Sequence, residues 1–251
     1  MFIYIVLASF IVSIISFSGG VFLFQKRILN ERFLTYLVSF AAGVMITAAF
    51  LDLLPEALEG FEELGVHENV LLPAFLGVIF FFFLERYVLW FHHHHDLHGA
   101  RPSSVLILLG DAFHNFIDGI AIAAAFLTNP GVGITATLAI AAHEIPQEIA
   151  DLSILLHGGM KRTRALFFNF LSALTAMVGA ILGYFFLENI EGLVPYFLSF
   201  TGGMFIYIAC SDLIPELHRE FRKNRGWFQT VPFILGIVVL YVTISLLSEA
   251  H

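Results

Sequence analysis

The sequence predicts an all-α integral membrane protein: a single transmembrane domain over 1–251, with eight transmembrane helices and an internal inverted repeat. Three observations predict it: the composition, the placement of basic residues, and a short repeated segment. Of 251 residues, 59% are hydrophobic and only 13% are charged, with 29 Phe. Soluble domains average nearer ~25% charged and ~45–50% apolar. This balance excludes a soluble enzyme and a disordered chain. The net charge of −8 comes with only 12 Lys plus Arg, which leaves no basic surface for nucleic acid. One cysteine, Cys210, excludes an intrachain disulfide and a Cys-rich zinc module.

A helical span needs roughly 20 mostly apolar residues. Eight segments qualify: about 1–24, 33–54, 70–91, 103–127, 132–157, 163–187, 194–216 and 228–248. The first has no basic leader and no small-residue cleavage site, so it reads as a retained helix rather than a secretory signal. All twelve Lys and Arg fall in or beside the connections after spans 1, 3, 5 and 7. The other connections carry Glu56, Glu59, Glu62, Glu63 and Glu68, then Glu188 and Glu191. Cytoplasmic connections collect Lys and Arg. The odd-numbered connections are therefore predicted cytoplasmic and both termini outside, in the cell (inner) membrane.

Span 2 ends Asp52-Leu-Leu-Pro55-Glu56, and 160 residues later span 7 ends Asp212-Leu-Ile-Pro215-Glu216. Ala42-Gly43 and Gly202-Gly203 match at the same offset. Spans 2 and 7 run in opposite directions, so the repeat is inverted, as in proteins that work by alternating access.

Spans 4 and 5 hold the polar residues. Span 4 carries Asp111, His114, Asn115 and Asp118; span 5 carries His143, Glu144, Gln147, Glu148 and Asp151. No Lys or Arg occurs between Arg101 and Lys161. An ionised group at the bilayer centre costs ~2.5–3.5 kcal/mol even on the mildest scale. A bound divalent cation is the simplest neutraliser. His114 and Asp118 are i, i+4 and share a helix face, as do His143, Gln147 and Asp151. Asn115 and Glu144 sit about 100° further round. Mixed nitrogen and oxygen donors suit zinc, iron, manganese, cobalt or cadmium better than magnesium or calcium. Pro146 frees the Ala142 carbonyl beside these residues. Gly119 permits a close helix approach.

These residues resemble the ZIP family of divalent-metal transporters. His114-Asn-Phe-Ile-Asp118-Gly matches its H-N-x-x-D-G pattern. His143-Glu-Ile-Pro-Gln147-Glu-Ile-Ala-Asp151 is similar to the H-E-x-P-H-E-x-G-D pattern of one subfamily. Two letters depart, Gln147 for His and Ala150 for Gly. The resemblance implies helices 1–3 inverted against helices 6–8 around helices 4 and 5, and a homodimer. It implies uptake of divalent cations, zinc foremost, toward the cytoplasm. His114, Asp118, His143 and Gln147 would form a first metal position. Asn115, Asp118, Glu144 and Gln147 would form a second, with Glu148 close by. Asn169 on span 6 is a candidate added ligand. The metal is substrate, and no organic cofactor is expected.

Further candidates line the pathway. Asp52 and Glu56 stand at one face and Asp212 and Glu216 at the other; Asp111, Asp151 and His157 point toward the cytoplasmic exit. A cytoplasmic loop over 92–101 carries His92, His93, His94, His95 and His98, a tract type that binds metals. The chain is predicted not to be an enzyme, with lipid bilayer and metal ions as its partners. The runner-up is an intramembrane zinc-dependent hydrolase, with His143-Glu144-x-x-Gln147 for H-E-x-x-H. That motif needs a second imidazole at i+4, where Gln147 stands. A third reading is metal export.

Overall fold

The computed structural model describes residues 1–22, 31–67, 69, 71–96, 104–157, 159–190, 192–224 and 227–248. The side chains of 19–22, 31, 87–96, 104–107, 150, 153–154, 157, 220–224 and 248 lie outside the description. All regular structure among the described residues is helical. The order is α1 (Phe2–Phe22), α2 (Glu31–Ala48), α3 (Leu54–Glu63), α4 (Leu72–Asp96), α5 (Ser104–Thr128), α6 (Pro130–His157), α7 (Arg162–Ala173), α8 (Thr175–Glu188), α9 (Val194–Ile208), α10 (Ile214–Asn224) and α11 (Thr230–Ser248). Among the described residues, four continuous helical stretches are long and apolar enough to cross a membrane: Arg32–Glu63, Arg162–Glu188, Val194–Arg219 and Trp227–Leu247.

Two of these rods contain a π-helical turn, Ala49–Leu53 between α2 and α3 and Ala209–Leu213 between α9 and α10. The cause is local. Pro55 and Pro215 lack an N–H and crowd the carbonyl four residues back. A π turn just before the proline absorbs that conflict without ending the rod.

The helix therefore continues where an acidic loop was expected. Glu56, Glu59, Glu62 and Glu63 lie on α3, not in a connection. Ala57 and Phe61, one turn apart, are buried, and Glu59, Glu62 and Glu63 are exposed. An amphipathic turn with that many carboxylates reads as loop on composition alone. Arg219, Arg222 and Lys223 likewise lie on α10. The predicted histidine loop is also corrected: α4 runs through His92–His95 to Asp96. Those four side chains, and all of His98, lie outside the described residues.

Packing relies on close backbone approach. A Cβ on Gly43 of α2 would meet the Phe233 carbonyl of α11, and one on Gly236 would meet the Phe40 carbonyl in return. The same reciprocal notch joins α9 to α4: Gly203 faces the Ala74 carbonyl and Gly77 the Phe200 carbonyl. A third joins α5 to α8 through Gly119 against Ala176 and Gly179 against Phe116. Helices in lipid associate by van der Waals contact at small residues. The main core is alanine-rich, with Ala121, Ile122, Ala123, Ala124 and Ala125 all buried beside Met45, Ile140 and Phe205. On α11 the exposed side chains include Val231, Ile234, Leu235, Val238, Val242 and Leu246.

Candidate metal centre

A short turn at Asn129 links α5 to α6, and the two helices pack against each other. The His114/Asp118 face thereby meets the His143/Glu144 face. Donor atoms of His114, Asp118, His143 and Glu144 all lie within 4.8 Å of one another. His143 Nε2 is 3.3 Å from Asp118 Oδ2 and 3.7 Å from Glu144 Oε1. His114 Nε2 is 3.6 Å and 3.8 Å from the same oxygens. The two Nε2 atoms are 3.3 Å apart. Zinc bonds of ~2.0–2.1 Å in a tetrahedron hold donors ~3.3–3.4 Å from one another, close to this spacing.

The surroundings orient each donor. His143 Nδ1 lies 3.1 Å from the Ala139 carbonyl. A carbonyl only accepts, so Nδ1 carries the proton and Nε2 presents its lone pair to the cluster. Ser16 of α1 donates to Glu144 Oε2 at 3.1 Å, turning Oε1 toward the histidines. Asp118 and Glu144 are fully buried, and both Asp118 oxygens and Glu144 Oε1 lack a hydrogen-bond donor. Phe81 stands edge-on to His114, ring centroids 5.5 Å apart, and Phe205 lies 6.1 Å from His143. Apolar rings thus wall the cluster.

Glu144, expected at a second position, sits with the two histidines. One residue beyond His143, it needs no further turn of helix to reach them. Asn115 is buried and donates to the Asp111 carbonyl and to Asp111 Oδ1 at 3.0 Å, leaving its own Oδ1 unpartnered. Gln147 is half-buried on α6. Glu148 is fully buried and accepts from Asn169 of α7. Asp111 is buried and Asp151 half-buried. His157 ends α6, with its side chain outside the described residues.

The candidates at the rod ends lie elsewhere. Asp52 is buried and accepts from Thr135 of α6; Glu56 accepts from Asn129 at 2.7 Å. Asp212 is exposed beside Ser211, and Glu216 pairs with Arg219 at 2.5 Å on the surface. Ser16, Thr135 and Asn129 were not among the sequence candidates. For Ser16 a signal existed: Ser9, Ser13 and Ser16 are all buried at i, i+4, i+7, one polar stripe on an apolar helix.

The helices and this buried histidine–carboxylate cluster define an integral membrane protein with a potential binding site for a divalent cation. Residues 2–103 and 92–244 match the ZIP zinc transporter family, and the chain belongs to it. Among its relatives is the metal cation symporter ZIP14 of Bos taurus, 39% identical over 145 residues, which are 55% of this chain and 29% of that protein. The zinc transporter ZIP4 of Mus musculus is 37% identical over 143 residues, 57% of this chain and 21% of the relative. The zinc transporter ZIP10 of Danio rerio is 37% identical over 121 residues, 48% of this chain and 14% of the relative. The matched regions thus span under a third of each of these relatives. All three are named as transporters or symporters, and the hydrolase reading finds no support among them.

Proposed function

We propose that the protein carries divalent transition-metal cations, zinc foremost, across a membrane toward the cytoplasm, and that it is not an enzyme. The observation that carries this reading is the donor cluster of His114, Asp118, His143 and Glu144. Two imidazoles and two carboxylates converge in an apolar enclosure, in a stretch of sequence with no Lys or Arg. Removing carboxylates from water without a partner is strongly unfavourable, and a divalent cation matches this charge and donor set. Asn115, Gln147 and Glu148 are the neighbouring ligands in this reading. Asp111, Asp151, His157 and Asn169 lie along the exit, with Asp52, Glu56, Asp212 and Glu216 at the two mouths. The histidines at 92–95 and 98 act as a cytoplasmic acceptor. The α6 sequence relates the chain to the H-E-x-P-H-E-x-G-D subfamily.

In the same reading the single domain has eight spans, with helices 1–3 inverted against helices 6–8. Support comes from the two π turns, which recur 160 residues apart. It also comes from the paired notches: Gly43 and Phe40 of α2 correspond to Gly203 and Phe200 of α9, each gripping its own partner helix. The protein sits as a homodimer in the cell (inner) membrane with both termini outside.

Uptake into proteoliposomes with zinc, iron, manganese, cobalt, cadmium, magnesium and calcium tests the function. Saturable uptake of zinc above magnesium and calcium is expected, and none should remain in His143→Ala or Asp118→Ala protein that still inserts. Equal uptake in empty liposomes would end the reading. Single cysteines near Arg101, Lys161 and Arg222, in a Cys210→Ser background, should resist labelling from outside; ready labelling would refute the topology.

A further inference from the structure

The two carboxylates of the donor cluster are held differently. Both Asp118 oxygens lack a hydrogen-bond donor. The Glu144 oxygens divide. Oε1 lacks a donor and lies 3.7 Å from His143 Nε2 and 3.8 Å from His114 Nε2. Oε2 accepts from the Ser16 hydroxyl at 3.1 Å. Ser16 and Glu144 are both 0% exposed, so bulk water does not compete for that proton.

Ser16 differs from the other serines of α1. A helical hydroxyl ordinarily bonds a carbonyl one turn back. Ser9 reaches Val6, Ser13 reaches Ser9 and Ser18 reaches Ile15 in this way. Ser16 instead donates across to a side chain of α6. Its helix is held independently of that bond. The Ser13 hydroxyl lies 2.7 Å from the Ala173 carbonyl, the last of α7. Phe17 packs edge-on against Phe170, ring centroids 5.0 Å apart. Anchoring therefore falls to Ser13 and Phe17, and the Ser16 proton serves Glu144.

We propose that Ser16 is a positioning residue that sets metal preference: by occupying Glu144 Oε2 it limits Glu144 to a single donor atom, Oε1. This rests on the transport reading. Two imidazole nitrogens and one oxygen from each carboxylate make the four-donor set that suits tetrahedral zinc. A Glu144 freed from Ser16 chelates through both oxygens. The added oxygen favours manganese, which takes oxygen-rich octahedral surroundings. An O–H donor on an ionised carboxylate is among the stronger hydrogen bonds, so Ser16 competes with that second metal–oxygen contact.

Calorimetry of purified protein in lipid nanodiscs, with zinc alone and manganese alone, tests this, and zinc X-ray absorption gives a second readout. Ser16→Ala should lower the zinc-to-manganese affinity ratio about tenfold. Zinc in that variant should gain a donor, from about four to about five nitrogen and oxygen neighbours. Ser16→Thr keeps the hydroxyl and should hold the ratio within about threefold. Ser13→Ala should lower the thermal midpoint yet leave the ratio alone, because it loosens α1 without touching the cluster. An unchanged ratio in Ser16→Ala overturns the proposal, as does an equal fall in Ser16→Thr or Ser13→Ala. Should Ser16→Ala fail to fold, Ser16→Cys, a near-isosteric and weaker donor, should show a smaller fall, and no fall there overturns the proposal. These outcomes leave zinc uptake by the wild type intact. Wild type that binds no zinc and shows no uptake overturns the transport reading itself.

Discussion

At Asp52 and at Asp212 the chain follows the same backbone path, five residues of π helix and then a proline-led α-helix, yet the side chains meet different company. Asp52 and Glu56 reach across to Thr135 and Asn129, tying the α2–α3 rod to α6 and its leading turn. Asp212 and Glu216 bond within their own rod, to Ser211 and Arg219. Among the described side chains, the acidic pair of one end bonds to a helix bearing the donor cluster and to its leading turn; the acidic pair of the other bonds within its own rod. A repeated motif therefore dictates a repeated backbone, while the partners depend on which element stands opposite.

The comparison can be broken first at the centre. If both ends are peripheral to ion binding, His143→Ala should weaken zinc binding at the donor cluster by ~100-fold or more, while Asp52→Asn and Asp212→Asn stay within threefold. Calorimetry in nanodiscs reads all three, and an end variant as damaging as His143→Ala would move the binding site.

Acidification should act on the centre alone. His114 and His143 must be neutral to bind metal. Binding should therefore weaken as the pH falls from 7.5 to 5.5, because protons compete with the metal for both imidazoles. His143→Ala should shrink that dependence, and the end variants should leave it unchanged. A pH-independent wild type would contradict imidazole ligation.

The glycine notches should behave alike at both ends. Gly43→Val and Gly203→Val each force a side chain into a facing backbone carbonyl. A loss of ~1–3 kcal/mol is expected from each, read as matched drops in thermal midpoint. A large loss in one and none in the other would deny that the two crossings are equivalent.

The side-chain ties should not behave alike. Thr135→Val removes the donor to buried Asp52, at a cost of ~1–3 kcal/mol. Ser211→Ala, beside exposed Asp212, should cost less than ~0.5 kcal/mol. Smallest of all, Arg219→Ala breaks an exposed pair usually worth ~0–1 kcal/mol. Denaturation in one detergent compares the three, and equal losses would erase the asymmetry.

Much of this was legible in the sequence. Apolar runs located the helix starts to within a few residues, though the rods ending in α3 and α10 run well past the expected ends at 54 and 216, and the His114/Asp118 and His143/Gln147 spacings identified the faces that meet. Gly119 announced a close crossing, and α8 supplies it. The extent of α3 was not legible, because its glutamates outnumber the two side chains it buries. Nor was Glu144's company with His114, since spacing along one helix does not reveal the angle at which the next helix arrives. Ser16 and Thr135 escaped notice because hydroxyls in apolar helices usually bond their own backbone. Only packing shows which of them serve a carboxylate.

The reciprocal notches have a mechanical consequence. Where two backbones touch through glycine, sliding one helix by a single residue, about 1.5 Å, drives a carbonyl oxygen against the neighbouring residue's Cβ. Such a seam resists shear far more than a seam of long, flexible side chains. The pairs α2–α11, α4–α9 and α5–α8 should therefore travel as welded units. Half of the donor cluster rides on α5, and any stroke that moves His114 and Asp118 must carry α8 along as ballast.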